Sequence, residues 1–280
     1  MLPDWLAAVF AFVFGSLVGS FLNVVIHRLP RGESVVRPRS RCPGCRRPIR
    51  WYENVPILSW IVLRGRCRGC KARISLRYPL VELAGGLLAL ACLRQFGLAP
   101  WALCAFAFLA ALLALTYIDL DHWLLPRVIT IPFVVLGVAV SWIPGGPGLV
   151  GSVLGAAAGF ASFVLIGAVA ERLLKKEAIG GGDVWLFAMI GAWLGLRALL
   201  PVALLASLQG AIAGIVLVAA ARGEGRRTAA PPPKPTGDEE LDAWEPPPGA
   251  LPFGPFLSLG AAEFLFFGDA LLDWYLGLFR

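Results

Sequence analysis

Histidine, acidic residues and charge in general are scarce in this chain. His27 and His122 are the only histidines among 280 residues, and no HExxH pair exists, so a zinc-protease site of that type is excluded. No GxSxG elbow is present, no serine–histidine pair stands out, and no Gly-rich stretch runs into Lys-Ser or Lys-Thr, which removes the nucleophile elbow and the phosphate loop. Charged residues make up only 15% of the chain and hydrophobic ones 58%, with a mean hydropathy of +0.74. A soluble domain of this length does not carry repeated apolar stretches of about twenty residues.

What is present instead is a series of apolar runs, at about 5–26, 79–97, 100–118, 128–143, 148–170, 184–196, 199–221 and 252–279. They predict an all-α polytopic membrane protein of about eight transmembrane helices; a membrane β-barrel would show short alternating segments. The first run lacks a basic leader and a small-residue cleavage site, so it reads as a retained helix. Glycines spaced by four recur at Gly15 and Gly19, at Gly151, Gly155 and Gly159, at Gly191 and Gly195, and at Gly210 and Gly214. Such stripes let helices approach closely, and packing within one bundle is the expected use. A homodimer is compatible with them, but nothing in the sequence supports one.

The net charge of +7 gains meaning from its distribution. All of the Lys and Arg residues except Arg94, Arg197 and Arg280 fall in loops on one side of the predicted spans. The excess of positive charge makes that side cytoplasmic and places both termini across the membrane, in the periplasm. The expected organisation is a first transmembrane helix over 1–26, a cytoplasmic loop domain over 27–78, and a membrane domain over 79–280. Within the last, residues 222–250 are rich in Pro and acidic side chains and are expected to form a disordered cytoplasmic linker.

The loop domain holds Cys42-Pro43-Gly44-Cys45 and Cys67-Arg68-Gly69-Cys70, separated by 21 residues. Two CxxC turns at this distance predict a tetrahedral zinc site with Cys42, Cys45, Cys67 and Cys70 as ligands. Disulfides are the alternative, disfavoured in a reducing cytoplasm. Four protein ligands leave no open position, so the zinc is expected to be structural and the loop to depend on it for folding. Neighbouring arginines are expected to lower the thiol pKa values. The fourteen basic residues between Arg28 and Arg77 are expected to meet anionic lipid headgroups. No nucleic-acid partner is expected, since stacking aromatics and a recognition helix are missing.

Two acidic clusters stand at the edges of apolar runs. Gly180-Gly181-Gly182-Asp183 precedes the run at 184–196, and Asp119 and Asp121 close the run at 100–118. Carboxylates so placed are costly and mark function. The glycines suggest a locally unwound segment that aims Asp183. Asp119 and Asp121 point about 200° apart on a helix, so only one can face a partner. Asp119, nearer the membrane, is the candidate, with Asp121 and His122 solvating or capping the helix end. Two carboxyls brought within a few ångströms can share one proton and act as general base and general acid around a water. Asp119 and Asp183 are therefore the candidate catalytic pair of an aspartic protease. Two other readings are a non-enzymatic membrane anchor whose zinc loop binds a partner or nucleic acid, and a proton-coupled transporter in which Glu82 would be the next intramembrane acid.

The ordered set of motifs resembles the type IV prepilin peptidases. It comprises Gly180–Asp183, Asp119 with Leu125-Pro126, the stretch from Gly19 to Pro30, both CxxC pairs, Glu53-Asn54-Val55-Pro56, Arg73–Pro79 and Pro252-Phe253-Gly254-Pro255-Phe256. The resemblance implies a bacterial inner-membrane endopeptidase that removes the basic leader of prepilins or pseudopilins on the cytoplasmic side, after a glycine. It places Asp119 and Asp183 at the catalytic positions and the four cysteines at the metal positions. It further implies methylation of the new N-terminal residue from S-adenosylmethionine, at residues left unassigned. Arg127 departs from the pattern, since many relatives carry an acid there; altered local charge is expected rather than lost proteolysis.

Overall fold

A computed structural model describes residues 3–174, 180–224, 235–236 and 250–277. The expected linker at 222–250 therefore lies largely outside the described residues, as do Arg280 and the loop lysines Lys175 and Lys176. Among the described residues the regular structure is helical, apart from two isolated bridges, Arg41–Pro48 and Arg66–Arg73, in the largely irregular cysteine loop. In an apolar solvent a helix is the local way to satisfy every backbone N–H and C=O, which is why each apolar run becomes one.

The helices are α1 (Asp4–Arg28), α2 (Leu58–Val62), α3 (Arg77–Phe96), α4 (Pro100–His122), α5 (Arg127–Val140), α6 (Leu149–Leu174), α7 (Gly181–Leu194), α8 (Leu196–Glu224) and α9 (Gly254–Gly277). Six of them, α1, α3, α4, α6, α8 and α9, are long and apolar enough to cross a membrane, which makes the chain an all-α polytopic membrane protein. The remaining two apolar runs of the eight form short helices. With 14 residues each, α5 and α7 reach about 21 Å at 1.5 Å per residue, short of a hydrocarbon core of about 30 Å. Pro126 and Gly180 set where each begins, and Gly195, at a positive φ of 79°, ends α7.

Two compact units divide the chain, Met1–Ala114 and Leu115–Arg280, with the boundary inside α4. The first unit joins α1, the cysteine loop, α3 and the first part of α4, so α3 groups with the N-terminal helix rather than with the later spans. Gly15 and Gly19 lie directly on the α3 backbone at Gly85 and at Val81–Glu82, leaving no room for a Cβ. The opposite face of α1 exposes Trp5, Val9, Val13 and Leu17, the i, i+4 stripe of a lipid-facing surface.

In the second unit, α7 is the core. Ten of its residues, Val184 and Leu186–Leu194, are buried, and α5, α6, α8 and α9 all pack on it. Gly155 and Gly159 of α6 meet Gly191 and Phe187 of α7 backbone to backbone. The Ser152 hydroxyl donates to the Ala192 carbonyl at 2.6 Å, and the Trp193 indole N–H donates to the Phe133 carbonyl of α5 at 2.7 Å. These two bonds fix α7 against neighbours on both sides. The glycine stripes are thus used within the chain, with one exception: a Cβ at Gly214 would meet nothing within 4 Å.

Candidate active site and metal centre

Asp119 lies three residues before the end of α4 and is only 5% exposed. Trp123, at a positive φ of 55°, ends the helix, and its N–H donates to the Asp119 carbonyl at 2.9 Å. Leu124 and Leu125 have no regular structure, and Pro126 is extended just before α5 starts. This turn buries Leu125 and His122. His122 is therefore buried rather than solvated, and of the two uses expected for it, solvating or capping the helix end, the first does not hold. Asp121 is half-exposed, as its opposite direction on the helix requires.

Asp183 occupies the first turn of α7, where a carboxylate is favoured by the exposed N–H groups and the helix dipole. The glycines before it are not an unwound segment. Gly180 is extended (φ −66°, ψ 140°), while Gly181 and Gly182 already belong to the helix. Their use is the missing side chain. A Cβ on Gly182 would stand 2.8 Å from the Leu125 Cβ, and one on Gly181 would stand 3.2 Å from the Arg127 guanidinium. Leu125 and Arg127 thereby press onto the helix turn that carries Asp183.

A third element closes the arrangement. The N–H of Gly254, at the start of α9, donates to Asp119 Oδ2 at 3.0 Å, in a buried position. A Cβ on Gly254 would stand 2.5 Å from that same oxygen and 3.2 Å from the Leu125 side chain. Pro255 follows in the first turn, where a fixed φ favours helix initiation. Asp119 and Asp183 are close enough for the charge of one to act on the other. Asp183 Oδ1 is buried with no hydrogen-bond partner among the described residues. The second unit thus gathers Asp119, Leu125, Gly182, Asp183 and Gly254 at one place. The sequence pointed to the two acids; the tie through Gly254 and the wedge of Leu125 were not foreseen, although both lie in quoted motifs.

In the first unit the four cysteines converge. The Sγ atoms of Cys42, Cys45, Cys67 and Cys70 all lie within 4.8 Å of one another and can hold a metal ion. Two of the separations are 3.7 Å (Cys42–Cys70) and 4.0 Å (Cys45–Cys67). A tetrahedral thiolate shell with bonds of about 2.3 Å has edges of about 3.8 Å, so the group fits. The two turns repeat one design. The N–H of Cys42 donates to the Arg47 carbonyl at 2.9 Å and that of Cys67 to the Ala72 carbonyl at 2.8 Å. Arg46 and Lys71 take the positive φ at equivalent places, 56° and 61°.

Backbone amides, rather than the neighbouring arginines, lower the Cys67 thiol. The N–H groups of Cys70 and Gly69 hold the Cys67 thiol down to about 6. Cys70 is moved the other way, to about 11, by desolvation and the surrounding thiols. The arginines act elsewhere: Arg47 donates to both oxygens of Glu53, at 2.6 and 2.8 Å, and Arg68 lies 3.8 Å from Oε1. Arg47 follows one cysteine turn and Arg68 sits inside the other, so one carboxylate ties both. The Arg50 N–H, with these guanidiniums, keeps the Glu53 carboxyl below its usual range. A cavity of about 670 Å³ opens beside this loop, lined among others by Asn23, Trp60 and Glu82.

Fold and sites together define a polytopic helical membrane protein with two neighbouring aspartates, Asp119 buried and Asp183 half-buried, in one unit and a four-cysteine cluster able to hold a metal ion in the other. The profile of the Bacterial Peptidase A24 N-terminal domain matches residues 13–96, and that of the Type IV leader peptidase family matches residues 106–215. The chain is 42% identical to a Prepilin leader peptidase/N-methyltransferase of Myxococcus xanthus, over 95% of this chain and 92% of that protein. It is 41% identical to a protein of the same name from Burkholderia pseudomallei, over 95% and 87%. It is 39% identical to the Type 4 prepilin-like proteins leader peptide-processing enzyme of Escherichia coli O78:H11, over 90% and 91%. No solved structure matches the chain. The chain belongs to the type IV leader peptidase family. The non-enzymatic anchor is not favoured by these relatives.

Proposed function

We propose that the protein is an aspartic endopeptidase of the bacterial inner membrane that removes the basic leader of prepilins or pseudopilins. Asp119 and Asp183 are its catalytic pair. The supporting observation is their meeting in one buried place, with Asp119 Oδ2 fixed by Gly254 and Asp183 Oδ1 left without a partner. A water between the two carboxyls supplies that missing partner.

The pair holds one proton. The ionised carboxylate takes a proton from the water, whose oxygen attacks the scissile carbonyl carbon, while the neutral carboxyl gives its proton to the carbonyl oxygen. Collapse of the tetrahedral adduct breaks the C–N bond as the leaving nitrogen receives a proton from the pair. The titration belongs to the two groups jointly, so neither holds one role throughout. The asymmetry of Lys and Arg supports a cytoplasmic site and periplasmic termini. A pilin N-terminus, being a long apolar helix behind a charged leader, would lie in the bilayer and present its cleavage point at headgroup level. The basic loop faces anionic lipid there.

The four cysteines hold zinc, a structural ion with no open coordination position. The first unit also serves N-methylation of the new N-terminal residue, for which S-adenosylmethionine supplies an electrophilic methyl group. Incubation with a prepilin, followed by mass measurement of its N-terminus, separates the activities. Loss of the leader reports cleavage, and one added methyl group reports transfer. An unchanged prepilin would refute the proposal.

A further inference from the structure

The cavity of about 670 Å³ lies wholly in the first unit, and its size is in the range of small-molecule sites, about 300–1,000 Å³. Three acids line it: Glu33, Glu53 and Glu82. Glu53 is already held by Arg47 and Arg68. Glu82 differs. It is 8% exposed, and its partners are neutral donors: the Ile57 N–H at 2.7 Å and the Ser20 hydroxyl. A buried carboxylate held only by neutral groups lacks the countercharge that such a group needs.

The backbone that serves Glu82 is itself unusual. Ile57 has φ 62° and ψ −53°, a conformation that a β-branched residue avoids. Strain of this kind persists where surrounding structure enforces it, and it gathers at ligand sites. Here it turns the Ile57 N–H onto the carboxylate. The indole N–H of Trp60 is spent on the Ile74 carbonyl at 3.1 Å, which fixes the ring at the cavity wall. Arginines including Arg39 and Arg41 line the same space.

A buried carboxylate, an indole ring and several arginines on one cavity suit a ligand that is cationic at one point, flat and aromatic at another, and anionic at a third. A hard metal cation needs several oxygen ligands, and among the described residues the only cluster able to hold a metal is the cysteine group. Resting on the bifunctional reading above, we infer that this cavity binds the methyl donor S-adenosylmethionine, with the Glu82 carboxylate against its sulfonium charge. Trp60 then offers a surface for the adenine ring, and the arginines face the donor's carboxylate.

The full-length protein in detergent tests this by equilibrium dialysis with labelled S-adenosylmethionine and with S-adenosylhomocysteine, which lacks the sulfonium charge. Glu82→Gln is expected to weaken S-adenosylmethionine at least tenfold more than S-adenosylhomocysteine. Val24→Phe, which fills the cavity from α1, is expected to abolish binding of both. Metal content reports the fold of each variant, and Val24→Phe carries the test if Glu82→Gln does not fold. Wild-type affinity in both variants, or an equal loss of the two ligands in Glu82→Gln, would overturn the inference while leaving the bifunctional reading in place. A wild-type protein that neither binds the donor nor transfers a methyl group would overturn both.

Discussion

The Gly254 N–H and the Asp119 carboxylate, 135 residues apart in the chain, meet at 3.0 Å in a buried position. Asp119 stands at the C-terminal end of its own helix, where the exposed carbonyls disfavour negative charge. The N-terminus of α9 supplies the opposite polarity. A glycine is required because any Cβ would occupy the space of Oδ2 itself.

Gly254→Ala is accordingly expected to lower prepilin cleavage on the order of a hundredfold, since displacements of about 1 Å at a reacting group have effects of that size. Kinetics of leader removal check this, with thermal unfolding in detergent showing that the protein is still folded.

Adjacent glycines of the Asp183 turn are expected to behave differently. Gly182→Ala drives a Cβ into the Leu125 Cβ at 2.8 Å, where neither atom can swing away. Gly181→Ala meets only the far end of Arg127, a flexible side chain. Cleavage should fall sharply in the first variant and change less than about threefold in the second, a difference of under 1 kcal/mol.

The metal-free loop should show one reactive thiol. Alkylation at neutral pH after chelation, mapped by mass spectrometry, is expected to label Cys67 before Cys70, because amide donors lower the former thiol to about 6 while the latter is raised to about 11. The thiolate form of Cys67 is favoured by the fold, so its contribution to the metal-free loop is full above the ordinary thiol pKa. That contribution declines as pH falls and is gone once pH drops below about 6. With metal bound, all four cysteines should resist the reagent.

Replacing Gly191 by Leu is expected to destabilise the second unit by about 1–3 kcal/mol or more, since α6 and α7 touch there through backbone atoms. Gly214→Leu should be neutral in the same unfolding measurement, as nothing lies within 4 Å of it.

The parts of this molecule visible in the sequence are those with local signatures. Membrane helices announce themselves by runs of apolar residues, the metal ligands by two CxxC turns, and the acids by their rarity at the edges of such runs. Relations between distant residues leave no such mark. Nothing near Asp119 indicates that Gly254 will donate to it, and nothing near Cys45 indicates that Glu53 will tie the two cysteine turns. The shortness of α7 was already legible in the limited extent of the run at 184–196, whereas the run at 128–143 gave no sign that α5 ends at Val140. Neither the burial of His122 nor the positive φ of Trp123, rare for any side chain, left a local mark.

The central claim is that Asp119 and Asp183 act together on the scissile bond. Its most direct measurement is leader removal from a purified prepilin by the wild-type protein and by Asp119→Asn and Asp183→Asn, each shown to retain its metal. Cleavage by the wild type and none by either variant is the expected result. Full cleavage by either one would contradict it.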